Sequence, residues 1–210
     1  MPTCLDHITV VAPSLDAGSR FVHQALGIEP FPGRKHPDMG THNRLLALGE
    51  RVYLEVIAPD PDAPPVARPR WFGLDQVSRS GIPRLAAWVA GTDNIESAVI
   101  PEMGTVETMS RAGFTWQMTL TADGSVPFQG AVPALIQRSS HDHPASRLAD
   151  VGLRLRRLRI HHPEPAQVLA AFARMGLAPW PEVAVFYANA CSLVAEIETP
   201  AGPRELGLLQ

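Results

Sequence analysis

The chain is poor in lysine, cysteine and tyrosine, and it has no long apolar run. Lys35 is the one lysine among 18 basic residues, so Schiff-base chemistry has a single candidate; the arginine bias fits a GC-rich bacterial genome. Two cysteines, Cys4 and Cys191, lie near opposite ends of the 210 residues. That spacing is neither a disulfide framework nor a zinc knuckle, and it reads as two buried thiols in a reducing cytosol. The opening MPTCLDHITVV lacks the basic and apolar regions of a signal peptide, and no stretch approaches the roughly 18 apolar residues that span a bilayer. The expectation is a cytoplasmic protein with no membrane partner. A formal charge of -3 gives no electrostatic reason to expect nucleic acid either. A glycine-rich phosphate loop, a Gly-x-Ser-x-Gly elbow and a His-Glu-x-x-His motif are all missing, which sets aside the enzyme classes built on them.

What remains is a globular composition, 45% hydrophobic and 19% charged, sufficient for one large domain or two small ones. Residues 5–11 are rich in β-branched side chains and predict a strand. Ser14, after Pro13, caps a helix whose Leu15, Phe21, Val22, Ala25 and Leu26 share an apolar face, and Gly27 stands where such a helix closes. A polar loop over residues 36–43 leads to strands near 44–48 and 52–58, turning at Gly49-Glu50. The proline-rich segment PDPDAPPVARPR, residues 59–70, is a stiff connection. Beyond it, a strand at 85–90, a helix capped by Thr92 or Asp93 and reaching Ile100, and strands at 104–110, 114–121 and 134–138 repeat the β-α-β-β-β order. A third run predicts a strand at 153–160, a helix at 164–175 between Pro163 and Gly176, and strands at 183–188, 193–198 and 205–209.

An internal repeat is visible. Leu26-Gly27-Ile28-Glu29-Pro30-Phe31-Pro32 matches Met175-Gly176-Leu177-Ala178-Pro179-Trp180-Pro181, each just after a predicted helix, as duplicated supersecondary units do. Three further stretches carry a family resemblance: Leu5-Asp6-His7-Ile8 ahead of the capped helix ending in Leu26-Gly27-Ile28; His36-Pro37 with Gly40-Thr41 and Asn43, followed by Tyr53-Leu54-Glu55-Val56-Ile57; and Pro133-Ala134-Leu135-Ile136-Gln137 with His143-Pro144 beyond. In these the chain resembles the glyoxalase-like domain of the vicinal oxygen chelate superfamily. The resemblance implies an α+β fold in which repeated βαβββ modules form a curved, cup-like mixed sheet with helices on the outside. It places a glyoxalase-like domain at residues 1–145, with modules at 5–58 and 84–139, and a third βαβββ-like module at 146–210 packed on the same unit.

In metal-using members of that superfamily each module gives one ligand from its first strand and another from its last. His7 and Glu55 match the first module's pair. Gln137 takes the second module's carboxylate position, and Ala86 or a neighbour takes the histidine's. The third module offers Arg157, which stays protonated, and Glu205. Imidazole and carboxylate suit a divalent metal such as zinc, iron, manganese or nickel, and strand parity lets His7 face a cup interior. Beside this stands a structural reading: His7 as a satisfied strand histidine and Glu55 as a buried, hydrogen-bonded acid. Without a metal, Glu55 or His143 is the proton acceptor. His143 belongs to the cluster His141-Asp142-His143-Pro144, which reads as reaching back to the cup or as a surface loop. His36 and Asn43 read as pocket residues or, with Gly40 and Thr41, as loop structure. Trp88 and Trp116, on strands of the middle module, are candidates for the cup wall; with Trp71, Phe72 and Trp180 they otherwise form core.

The leading functional expectation is a glyoxalase-like enzyme, of lyase, isomerase or dioxygenase type and metal-dependent if the ligand set is completed, acting on a small organic molecule. The alternative is a protein of the same fold that binds or sequesters a small molecule without catalysis. The third module reads as a cover for the sheet or as a homodimer contact. Its arginine-rich strand, with Arg154, Arg156, Arg157 and Arg159, reads as a solvated face or as an anion-binding wall.

Overall fold

The computed structural model describes residues 3–111, 113–139, 143–177 and 181–207. The first module runs β1 (Cys4–Val11), α1 (Leu15–Leu26), β2 (Phe31–His36), β3 (Thr41–Ala47) and β4 (Tyr53–Pro59). Helix α1 forms as its sequence dictates: the Ser14 hydroxyl accepts from the Ala17 N–H at 3.2 Å, and Gly27 closes the helix at a φ of 75°, a conformation glycine adopts without a Cβ clash. Strand β2 was absent from the sequence expectation because Pro32, Gly33 and the charged Arg34 and Lys35 disguise it. It is the outermost strand of its sheet and mostly exposed, the one place in a sheet where proline is tolerated.

The proline-rich connection ends in a 3-10 turn at Trp71–Gly73 and a short helix, α2 (Leu74–Ser80). The second module is β5 (Arg84–Gly91), α3 (Ile95–Ala98), β6 (Thr105–Arg111), β7 (Phe114–Leu120) and β8 (Ala134–Arg138). Helix α3 has four residues, fewer than expected. Its cap is Asn94, which accepts from the Ser97 N–H, whereas Thr92 accepts from Asn94 and so lies outside the helix; Pro101 then opens a separate 3-10 turn.

These two modules form one mixed eight-stranded sheet, β2-β3-β4-β1-β5-β8-β7-β6. Within each module the first strand runs parallel to the last, β1 with β4 and β5 with β8, and the modules join through the antiparallel pair β1–β5. The sheet curls into a half-barrel. Its convex face carries Ile8, Val10, Leu54, Val56 and Trp88 in one apolar core, and its concave face carries Val11, Ile57, Val89 and Ile136 in a second. Helices α1 and α3 pack on the convex side, whereas α2 contributes Leu74 and Val77 to the concave core.

The last third has the same element order, β9 (Arg154–His162), α4 (Pro165–Arg174), β10 (Val183–Tyr187), β11 (Ser192–Thr199) and β12 (Gly202–Leu206). Its pairing differs. Strand β9 lies between β10, parallel, and β11, antiparallel, giving a separate sheet β10-β9-β11-β12. Leu158, Ile160, Leu193, Ala195 and Ile197 from this sheet join the convex core of the large one. Three of the four β9 arginines meet carboxylates: Arg154 pairs with Asp150, Arg156 with Glu198, and Arg159 with Glu196 and Glu205; Arg157 is exposed. That is the solvated-face reading rather than an anion-binding wall. No helix among the described residues is long and apolar enough to cross a membrane.

Trp88 corrects one expectation. Its partner in the β1–β5 register is Ile8, on the convex side. The indole is 1% exposed, meets Phe172 of α4 edge-on at 5.7 Å and donates to the Ala131 carbonyl at 3.3 Å. It is therefore core between the two sheets and no part of the cup wall. Trp88→Ala is expected to cost about 3–5 kcal/mol. Urea unfolding followed by circular dichroism should show one earlier, cooperative transition for both sheets, with ligand affinity in the cup unchanged in the folded protein. Two separated transitions would mean that the last third folds on its own.

Candidate functional site

The concave face holds a cavity of about 400 Å³. Its wall is built by alternation along the strands. His7 on β1, Tyr53 and Glu55 on β4, and Asn43 and Leu45 on β3 are odd-numbered and face inward, while Ile8, Leu54, Val56 and Leu46 face the convex core. The second module contributes Trp116, Met118, Ile136 and Arg138, and the turn after the proline-rich segment contributes Trp71 and Phe72.

One irregularity shapes the chemistry. The β1–β5 register slips between Leu5 and His7. Such a bulge lets consecutive side chains point to one side of a sheet, and Asp6 and His7 do so: Asp6 Oδ1 lies 2.6 Å from His7 Nδ1. Asp6 is 4% exposed and is the node of a buried polar cluster. Its carboxylate accepts from Arg138, at 2.7 Å through Nη2 and 3.2 Å through Nε, and from His143 Nε2 at 3.1 Å. Burial alone pushes the Asp6 carboxyl up. The hydrogen bonds from His143 and His7, with the charges of His7 and Arg138, outweigh it and hold the group well below its ordinary value of 3.8. Tyr53 stacks on His7 at 4.5 Å; burial, then the Asp6 charge, raises its phenol well above the usual value.

An ionised Asp6 only accepts hydrogen bonds, so His7 carries its proton on Nδ1 and presents Nε2 to the cavity. There Nε2 lies 3.7 Å from Glu55 Oε2. Glu55 is held from the other side: Asn43 Nδ2 donates to Oε1 at 2.6 Å, and Asn43 Oδ1 accepts from the Arg34 N–H at 2.7 Å. Gly33 is required for this approach, since a Cβ there would come within 2.1 Å of Asn43 Oδ1.

The remaining expected site residues separate into groups. His36, Asn43 and Trp116 line the cavity. His143 reaches the cluster but has both ring nitrogens occupied, Nε2 donating to Asp6 and Nδ1 accepting from the Ala145 N–H at 3.2 Å. Gln137 points the other way: its side chain accepts from the Ile95 N–H at 2.7 Å and so caps α3. The next residue, Arg138, takes the inward position, because side chains alternate and the expected alignment was one residue out of phase. His141, Asp142 and Trp180 lie outside the described residues. Cys4 is exposed rather than buried, and both cysteines are free; partial desolvation of its sulfur and the Asp6 charge raise the Cys4 thiol, which disfavours the nucleophilic thiolate.

The donor set does not fit a tightly held divalent metal. His7 and Glu55 both come from the first module, while the concave strands of the second supply Ala87, Val89, Ala134 and Ile136 and the cation Arg138. Among the described residues no three His, Cys, Asp or Glu side chains converge as a metal site, and catalytic zinc sites use three protein ligands.

Asp6 generates a stability prediction. Its folded pKa lies below the unfolded one, so its contribution is present above about pH 3.8 and is lost as pH falls through the folded value. Asp6→Asn should cost about 3 kcal/mol at neutral pH, because the Arg138 charge loses its partner. The gap between wild type and variant should narrow below that pH in thermal unfolding. A gap unchanged by acid would mean that Asp6 does not hold its charge in the fold.

Comparison with known proteins agrees with this architecture. The family model described as glyoxalase-like domain matches residues 5–176. Among solved structures, a hypothetical protein from Staphylococcus aureus is 12% identical over 91% of this chain and 88% of that one, with a TM-score of 0.60; this likeness shows the fold across nearly the whole chain. Methylmalonyl-CoA epimerase from Streptomyces coelicolor, in complex with 2-nitronate-propionyl-CoA, is 17% identical over 67% of this chain and 100% of that one, with a TM-score of 0.46. The epimerase from Mycobacterium tuberculosis is 15% identical over 64% and 86%, with a TM-score of 0.40. Comparison with curated proteins yields no match. With most of its length matched by the family model, the chain belongs to the glyoxalase-like domain family, within the vicinal oxygen chelate superfamily.

Proposed function

We propose that the protein is a small-molecule enzyme that moves a proton at a carbon beside a carbonyl group, an isomerase or lyase type of reaction. The observation that carries this reading is the facing pair of His7 Nε2 and Glu55 Oε2, 3.7 Å apart on the cavity wall. Each is oriented from behind, the imidazole by Asp6 and the carboxylate by Asn43, as acid–base catalysis requires. In the reactive form of this scheme Glu55 is ionised and His7 carries a second proton, on Nε2, besides the Nδ1 proton held by Asp6, so the pair offers one acceptor and one donor.

Glu55 is the proton acceptor in this scheme. It takes the C–H proton, and the C–H electrons form a carbon–carbon double bond. The carbonyl π electrons move to oxygen, which receives the proton from His7 Nε2. When the carbonyl reforms, the enol proton goes back to His7 Nε2; reprotonation of the carbon on its opposite face, with Glu55 passing its proton to solvent, completes an isomerisation, whereas departure of a group from the next carbon with its bonding electrons and the Glu55 proton completes an elimination. His143 positions Asp6 and takes no proton from substrate, since both of its nitrogens are committed. A divalent metal would have to be held by His7 and Glu55 alone, so the metal-dependent lyase and dioxygenase readings have less support. The non-catalytic reading keeps one observation in its favour, the apolar second-module wall facing this pair.

The test is proton exchange. Protein in deuterium oxide with a panel of α-keto acids and β-dicarbonyl compounds should catalyse deuterium incorporation, read by nuclear magnetic resonance. Glu55→Gln and His7→Gln should each slow it by about 100-fold or more. Ligand binding without exchange anywhere in the panel would favour the sequestering reading. Elemental analysis of the same preparation should find substoichiometric metal; a full equivalent, lost in the His7→Ala, Glu55→Ala double variant, would restore the metal reading.

A further inference from the structure

We infer that the ligand of this cavity is an organic acid with an apolar body, and that Arg34 is the residue that selects its carboxylate. The inference rests on the cavity being the small-molecule site proposed above.

Charge at the wall is the first argument. Among the described residues the lining contains three arginines, Arg34, Arg138 and Arg147, and a single carboxylate, Glu55, on a chain whose formal charge is -3. Arg138 is neutralised from behind by Asp6. Arg147 lies over the Phe114 ring, its guanidinium carbon 4.8 Å from the centroid. Arg34 lines the cavity from the exposed edge strand β2, and no described carboxylate pairs with it. A cationic rim above an apolar wall concentrates anions and orients a carboxylate through the guanidinium fork. Phe72, Phe114, Trp116, Met118 and Ile136 supply that apolar wall, suited to an aryl or branched alkyl group.

Connectivity is the second argument. The backbone of Arg34 and the carboxylate of Glu55 are bound to the same Asn43 amide, at 2.7 Å and 2.6 Å. One side chain thus ties the backbone that carries Arg34 to the proton acceptor. A ligand held by its carboxylate at Arg34 lies on the same wall as Glu55, and its apolar body rests on the second-module wall. Asn43 is a positioning residue in this arrangement.

The experiment measures binding, which needs no turnover. Aryl and alkyl carboxylates, beginning with phenylacetate, are each paired with the primary amide and titrated by calorimetry into wild type, Arg34→Ala, Arg34→Lys and Glu55→Gln. The wild type should prefer the acid by about tenfold, a difference of about 1.4 kcal/mol. Arg34→Ala should abolish the preference without changing the unfolding temperature, Arg34→Lys should restore part of it, and Glu55→Gln should keep it. Amides binding as tightly as acids, no acid binding at millimolar concentration, or a preference that survives Arg34→Ala would each overturn the inference. An intact acid preference with no proton exchange would instead overturn the catalytic reading and leave the ligand class standing.

Discussion

A carboxylate enclosed in protein loses its hydration, and several kcal/mol are at stake unless donors replace the water. For Asp6 the donors come from three separate stretches: His7 beside it on β1, Arg138 at the end of β8, and His143 from the segment after β8. Satisfying this one group therefore brings together the first strand of one module, the last strand of the other and the connection toward the final third. It also fixes the chemistry above it. With the Nδ1 proton of His7 committed to Asp6, Nε2 is the atom available to the cavity. The orientation of His7 is a consequence of how a buried charge is satisfied.

The two modules are alike in backbone and unlike in content. Both pair first strand with last in parallel, and both turn that pair toward the concave face. Where the first presents His7, Glu55 and Asn43, the second presents Ala87, Val89, Ala134 and Ile136. A chelating site built from both modules would need donors from each, and among the described residues only the first supplies them. The division gives a polar wall that can move a proton and an apolar wall that can hold a carbon skeleton, which is what a small-molecule site needs from its two sides.

Much of this was legible in the sequence, and the exceptions have physical causes. The inward parity of His7 and Glu55 follows from two-residue alternation along short strands, and the capped helix follows from Ser14 and Gly27. Asp6 escaped notice because a bulge suspends that alternation, and a bulge is a property of two strands in register. Gln137 and Arg138 exchanged roles for a related reason: alternation shows that neighbours face opposite ways but does not say which faces in. Trp88 lies in a strand whose six central residues are buried on both faces, where hydrophobicity cannot distinguish cup from core. The pairing of the last third was beyond sequence because element order constrains topology only loosely, and β9-α4-β10 closes as a parallel unit that the first module lacks.

That rearranged third explains how the cup is kept open. A curved sheet with a cavity of about 400 Å³ on its concave face gives up apolar contacts there, so its convex face must help hold the shape. The small sheet joins that face through Leu158, Ile160, Leu193 and Ile197, all buried, with Trp88 against Phe172 and a backbone hydrogen bond from Leu155 to Leu48. These contacts back β1 and β5, the two strands through which the modules join. Close-packed interiors have low compressibility, so a stiff back holds the strands that carry His7 and Glu55 in front. The same βαβββ element order is thus used twice for the walls of the site and, re-paired, a third time as the support behind them.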